Sequence, residues 1–197
     1  MKTLKWLLIG VLGFLMYQQF SGGSNGVLEG VNLPVNYDLS LKDAIAAGNY
    51  QSVDGISEDR FPNKRKGNKT EYVELWQANF DAERDDVLNF FESRGLRGAG
   101  LRELLALGAA YQDFQRDYKV IALGSAWSDG GKTNNPYLGG SQRSRWVKVF
   151  DEHLLPKGMI FVSVRGRDSS SLDVLEIPFC TDSRAHSMLF CRIPLQK

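Results

Sequence analysis

The chain reads as an α+β protein, with two short helices packed on a mostly antiparallel sheet with long loops and an N-terminal hydrophobic segment ahead of it. Three observations predict this. Leu101, Leu104, Leu105 and Gly108 recur at i, i+3, i+4 and i+7, one face of an α-helix. From residue 118 onward, short apolar runs follow one another with no helical segment between them, so neighbours are expected to pair antiparallel. Trp6 to Tyr17, WLLIGVLGFLMY, is an unbroken apolar stretch behind Lys2 and Lys5.

That stretch sets the expected organisation. Twelve helical residues reach roughly 18 Å, short of the roughly 30 Å hydrocarbon core. Extending from Leu4 to Phe20 takes in Gln18 and Gln19, which gives the size of a signal-peptide core or a minimal uncleaved anchor. Ser21 and Gly23 are small residues at the two positions a cleavage after Gly23 needs. The next basic residue after Lys5 is Lys42, so charge asymmetry keeps the N-terminus cytoplasmic and sends the remainder across. Residues 1–20 are therefore expected to be a signal peptide or membrane anchor, 21–36 a Gly/Asn-rich flexible linker, and 37–197 a single exported or membrane-tethered domain. The membrane would be a partner through the first segment alone.

Within the domain, residues 40–48 predict a short helix, capped by Ser40 with Asp43 at the capping-box position and stopped by Gly48. Residues 59–69, DRFPNKRKGNK, form a basic, solvated loop. Residues 70–80, TEYVELWQANF, have the aromatic and β-branched content of a strand. A helix follows from Asp81, with Glu83, Asp85 and Asp86 at its positive end, Arg94 near its negative end and Gly95 after it. Val87, Leu88 and Phe91 are its apolar face. The second helix begins near Leu101. Strands are then expected at 118–126, 145–150, 159–165, 172–180 and 188–193.

Charge and motifs exclude several function classes. Without Lys2 and Lys5 the balance is 22 basic to 23 acidic residues, which offers nucleic acid no global attraction. Residues 126–133, AWSDGGKT, satisfy the loose pattern of a nucleotide-binding phosphate loop. Such a loop needs a helix directly after the Lys-Thr pair. Asn134, Asn135 and Pro136 follow instead, and proline drives its predecessor away from helical geometry. A polar loop with Gly-Gly at positive φ is the better reading, and no nucleotide or cofactor is expected. Cys180 and Cys191 each sit in an apolar strand-like run. In an exported protein they are candidates for a disulfide, with two buried thiols as the alternative. With only His153 and His186 in the chain, no metal site is expected.

The segment Gly95-Leu96-Arg97-Gly98-Ala99-Gly100-Leu101-Arg102-Glu103-Leu104 resembles a motif of bacterial C-type-lectin-like domains related to the formylglycine-generating enzyme. Gly95, Arg97, Glu103 and Leu104 fall on its spacing. Residues 39–165 also resemble a group of small uncharacterised bacterial proteins, notably at ELLALG ending in Gly108. The resemblance covers roughly residues 71–167 and implies the fold. The cysteines of formylglycine chemistry have no counterpart, and Asn134-Asn135-Pro136 lacks the carboxylate of a calcium triplet, so neither activity is implied. Arg97 and Glu103 are a candidate structural pair fixing the junction before the second helix.

The functional expectation is a binding or interaction module without catalytic activity. Loops on a rigid sheet commonly carry binding. The polar segment 128–145, with Trp127, Asn134, Asn135, Tyr137, Arg143 and Arg145 as candidate contacts, would face an unknown protein or glycan. Alternatives are a structural subunit of an envelope assembly and an exported hydrolase built on Ser125, His153 and Asp151.

Overall fold

A computed structural model describes residues 30–165 and 190–192; the N-terminal apolar segment, Cys180 and the strand expected at 172–180 lie outside them. Part of the expected linker is instead a strand. β1 (Val31–Asn36) pairs antiparallel with β3 (Asn68–Ala78), Val31 opposite Val73. Val31, Leu33 and Val35 are buried while Asn32, Pro34 and Asn36 are exposed, the period of two that a strand imposes. Asn and Pro on the outer side gave the segment the composition of a loop. Tyr37 continues the inward set at 2% exposure.

Helix α1 (Leu41–Ala47) is capped as its sequence suggests, with the Asp43 N–H donating to Ser40 Oγ at 3.1 Å. Helix α2 (Arg84–Glu92) starts later than expected because Asp81 is used elsewhere: its Oδ1 accepts from the Lys157 N–H at 2.7 Å. Between them, β4 (Ala82–Glu83) pairs with β10 (Leu154–Leu155). After the left-handed Gly95 (φ 64°) come β5 (Leu96–Gly98) and helix α3 (Leu101–Ala110), whose Leu101, Leu104, Leu105 and Gly108 are all buried. A single further turn, α4 (Phe114–Asp117), had no signal in the periodicity.

The sheet is mixed and mostly antiparallel, centred on β3 and β11 (Ile160–Arg165). Two short pairings are parallel: β6 (Val120–Ile121) with β11, and β2 (Ser52–Val53) with β9 (Arg145–Phe150). Both join strands distant in the chain, where pairing of sequence neighbours does not apply. The expected loop 128–145 is also mostly strand. β7 (Trp127–Asp129) turns at Gly130 and Gly131, both at positive φ, into β8 (Lys132–Gly140), which pairs with β9. Positive φ at both central residues is what a type I′ two-residue hairpin turn requires. Thr133 thus leads into a strand, where a phosphate loop needs a helix.

One face of the sheet packs Ile160, Val162 and Val164 against α1 and α3; the other packs Trp76 and Phe161 against Val87 and Phe91 of α2. The helices therefore cover opposite faces. On one edge of β3 lie two strands end to end, β1 at residues 68–73 and β12 (Phe190–Arg192) at 76–78, since β11 occupies the other edge at 73–77. β11 repeats this arrangement. On its edge away from β3, β6 ends opposite Phe161 and β5 ends opposite Ser163.

Candidate functional site

The gap where β5 and β6 abut is closed by glycine. A methyl group on Gly124 would lie 2.2 Å from Gly98 O, and one on Gly98 would lie 2.8 Å from Gly124 N. Only bare backbones approach so closely, and the Gly124 N–H then donates to Ala99 O at 2.8 Å. From this junction the chain enters α3 on one side and Ser125 on the other. Ser125 Oγ accepts the N–H of Leu101, the first residue of α3, at 2.9 Å. Glu103 Oε2 accepts the Gly100 N–H, also at 2.9 Å. A side chain at Gly100 would collide with both oxygens.

Glu103 is 2% exposed and anchors a polar cluster. Its Oε1 lies 2.7 Å from Arg97 Nη2 and 2.7 Å from Tyr37 Oη. Tyr37 Oη also lies 2.8 Å from Glu71 Oε1, which receives Arg65 Nη1 at 3.2 Å. One phenolic proton serves one carboxylate at a time, so Arg65 and Arg97 must offset the charge of the other. Burial alone would push the Glu103 carboxyl up; Arg97, with hydrogen bonds from Tyr37 and Arg97, outweighs it and leaves the group below its ordinary range. Burial pushes the Tyr37 phenol far up, reinforced by Glu103 and Glu71. Arg97 and Glu103 are thus paired as their spacing suggested, within a larger network.

A cavity of about 390 Å³ opens above this cluster, walled by residues 61–65, the start of α3 and residues 124–126. A larger one, about 670 Å³, lies beside the β7–β8 hairpin, between Lys132, Thr133 and Asn135 on one side and Glu83, Asp85, Asp151, Glu152 and His153 on the others. Asn135 is 3% exposed; its Oδ1 accepts from Arg84 Nε at 3.3 Å.

No protein-family model, curated protein or solved structure matches the chain.

The six candidate contacts are not brought together, because strand geometry sends alternate residues to opposite faces. Asn135 alone of them lines the larger cavity. Asn134 Nδ2 donates to Trp127 O at 3.1 Å and ties the hairpin together. Tyr137 packs edge-on against Phe150, and the Trp127 ring lies under the Arg60 guanidinium at 4.2 Å. Arg143 is exposed in the turn between β8 and β9. Arg145, 3% exposed, donates to the carbonyls of Gly48 and Gly108 and clamps α1 to α3. Ser125 lines the smaller cavity, whereas Asp151 and His153 line the larger. Sequence reading missed Tyr37, Lys64, Arg65, Glu71 and Arg102. The signal for Tyr37 was present in the alternation of residues 31–37; for the others, spacing in the chain carries none.

Proposed function

We propose that the protein is a non-catalytic extracytoplasmic binding module of C-type-lectin-like kind, carried to or held at a membrane by residues 1–20. Its recognition surface is the cleft beside the β7–β8 hairpin. One observation carries this reading. Asn135 is almost wholly buried in the cleft wall, and among the described residues its Oδ1 is committed to Arg84 while no protein acceptor takes its Nδ2. That amide, held in orientation through its Oδ1, presents its N–H groups in the cleft wall as donors a ligand can take. Around it, Glu83, Asp85, Asp151 and Glu152 outnumber Arg84 and Lys132. The acidic excess favours a protein or glycan that presents amines and hydroxyls.

A photo-crosslinking residue at Thr133, in full-length protein in its native cells, tests the cleft, with the same residue at Asp59 as control. The expected result is a discrete adduct at 133 only, lost when Asp151→Lys is added. Adducts at both positions, or an adduct indifferent to Asp151→Lys, would remove the cleft from consideration. Intact mass of the envelope and soluble fractions, before and after reduction and alkylation, tests location. Full-length cytosolic protein with both thiols free would overturn export.

A further inference from the structure

Resting on the reading of the cleft beside the β7–β8 hairpin as the recognition surface, we infer that its partner is a basic polypeptide segment. A lysine or arginine side chain meets the carboxylates, and the main-chain carbonyl beside it meets Asn135. Arg84 has little charge left to oppose this. Its Nη1 lies 3.3 Å from Asp85 Oδ1, its Nε donates to Asn135 Oδ1 and its Nη2 to Leu123 O. Asp85 is offset by that contact, and Glu83, the residue before α2, by the positive end of the helix. Asp151 and Glu152 are exposed and make no ion pair among the described residues, so their charges are uncommitted. Lys132 stands against them on the other wall. A second cation, brought by the partner, complements what remains.

A second observation does not depend on charge. Asn135 is 3% exposed, lines the cleft and is held through its Oδ1, while no acceptor among the described residues takes its Nδ2. β8 and β9 pair Asn135 with Phe150, the last residue of β9, and Asp151 is next in the chain. Register therefore sets an amide donor and an uncommitted carboxylate side by side. The two ask for different groups: the carboxylate for a cation, the amide for an accepting oxygen. A polyamine has the cation without the acceptor, and a neutral glycan has the acceptor without the cation. Peptide has both, a carbonyl next to each basic side chain. An amino sugar also has both, but among the described residues no tryptophan, tyrosine or phenylalanine lines the cleft to pack against a sugar's C–H face. Leu155 lines it instead, and the aliphatic stem of a lysine can lie along it. The cavity, about 670 Å³, has room for a short stretch of extended chain.

Calorimetric titration of the full-length protein in neutral detergent tests this with four probes: the peptide acetyl-Gly-Lys-Gly-Lys-Gly-amide, the same peptide with glutamine for both lysines, spermidine, and the trimer of glucosamine. The expected result is saturable binding of the lysine peptide, weakening as salt rises, and none of the glutamine peptide. Spermidine and the glucosamine trimer should bind about tenfold more weakly than the lysine peptide, or not at all, for want of one hydrogen bond or a packed face. Asp151→Asn should weaken lysine-peptide binding about fivefold, the contribution of one exposed ion pair. Asp59→Asn, outside the cleft, should leave it unchanged. Asp59 and Asp151 are both exposed, and thermal melts of each variant separate lost binding from lost folding. Equal binding of the two peptides, no binding of the lysine peptide, or binding of it indifferent to Asp151→Asn would each overturn the inference. So would spermidine or the glucosamine trimer binding as tightly as the lysine peptide. Any of these leaves the cleft standing as the recognition surface if the adduct at Thr133 still forms and is lost with Asp151→Lys; absence of that adduct removes the cleft and this partner together.

Discussion

Tyr37 and Glu103 are where single groups matter most. The Glu103 carboxyl is held below its ordinary value of about 4.3 by Arg97 and its hydrogen bonds. A depressed carboxyl contributes stability above its unfolded value, and that contribution is lost as pH falls through the folded value. Thermal melts should therefore show a midpoint steady from pH ~7 to ~5 that drops below pH ~4.5. Glu103→Gln should lower the neutral midpoint, by about 1–3 kcal/mol of stability, and flatten the acid limb. An unchanged acid limb would mean that Glu103 does not carry the effect. The phenol of Tyr37 has the opposite sign. Raised by burial and by two carboxylates, it contributes fully below about pH 10 and loses that contribution as pH rises further. Tyr37→Phe should reduce the loss of stability in alkali; the partly buried Tyr50, whose phenol is also raised by desolvation, retains the remainder.

Among the elements, the junction of β5 and β6 is the least tolerant. Gly124→Ala would place a methyl 2.2 Å from Gly98 O, a backbone atom that β11 holds in register opposite Ser163. Urea unfolding should show a loss of about 1–3 kcal/mol or more. Gly130→Ala in the hairpin turn meets no atom and carries only the strain of its positive φ, about 1 kcal/mol. Equal costs would show that the junction relaxes. The same elements explain what the sequence disclosed. Helix α3 was legible because its leucine stripe buries one face, and α1 because Ser40 and Asp43 spell out its cap. β8 was not legible: KTNNPYLGG has poor strand composition, and its place is set by pairing with β6, β7 and β9. The cluster around Tyr37 was equally hidden. Tyr37, Glu71 and Glu103 are 66 residues apart at the extremes, and only the sheet brings them together.

At the scale of the molecule, two hydrophobic clusters share one sheet, so neither face can be lost alone. Leu104→Ala on one face and Phe91→Ala on the other should cost about 2–5 and 3–5 kcal/mol. Each should shift a single transition reported identically by far-UV circular dichroism and tryptophan fluorescence. Non-coincident probes would reveal two units in place of one. The end-to-end arrangement of β1 and β12 on β3 has a further consequence. Val31 stands opposite Val73 and Arg192 opposite Trp76, three positions apart, or about 10 Å at strand rise. The way into the described fold and the way out of it are neighbours. A circular permutant that joins them through a short glycine linker, and opens anew between Gly130 and Gly131, is expected to fold; the pairings of β3 would then be made within one continuous segment.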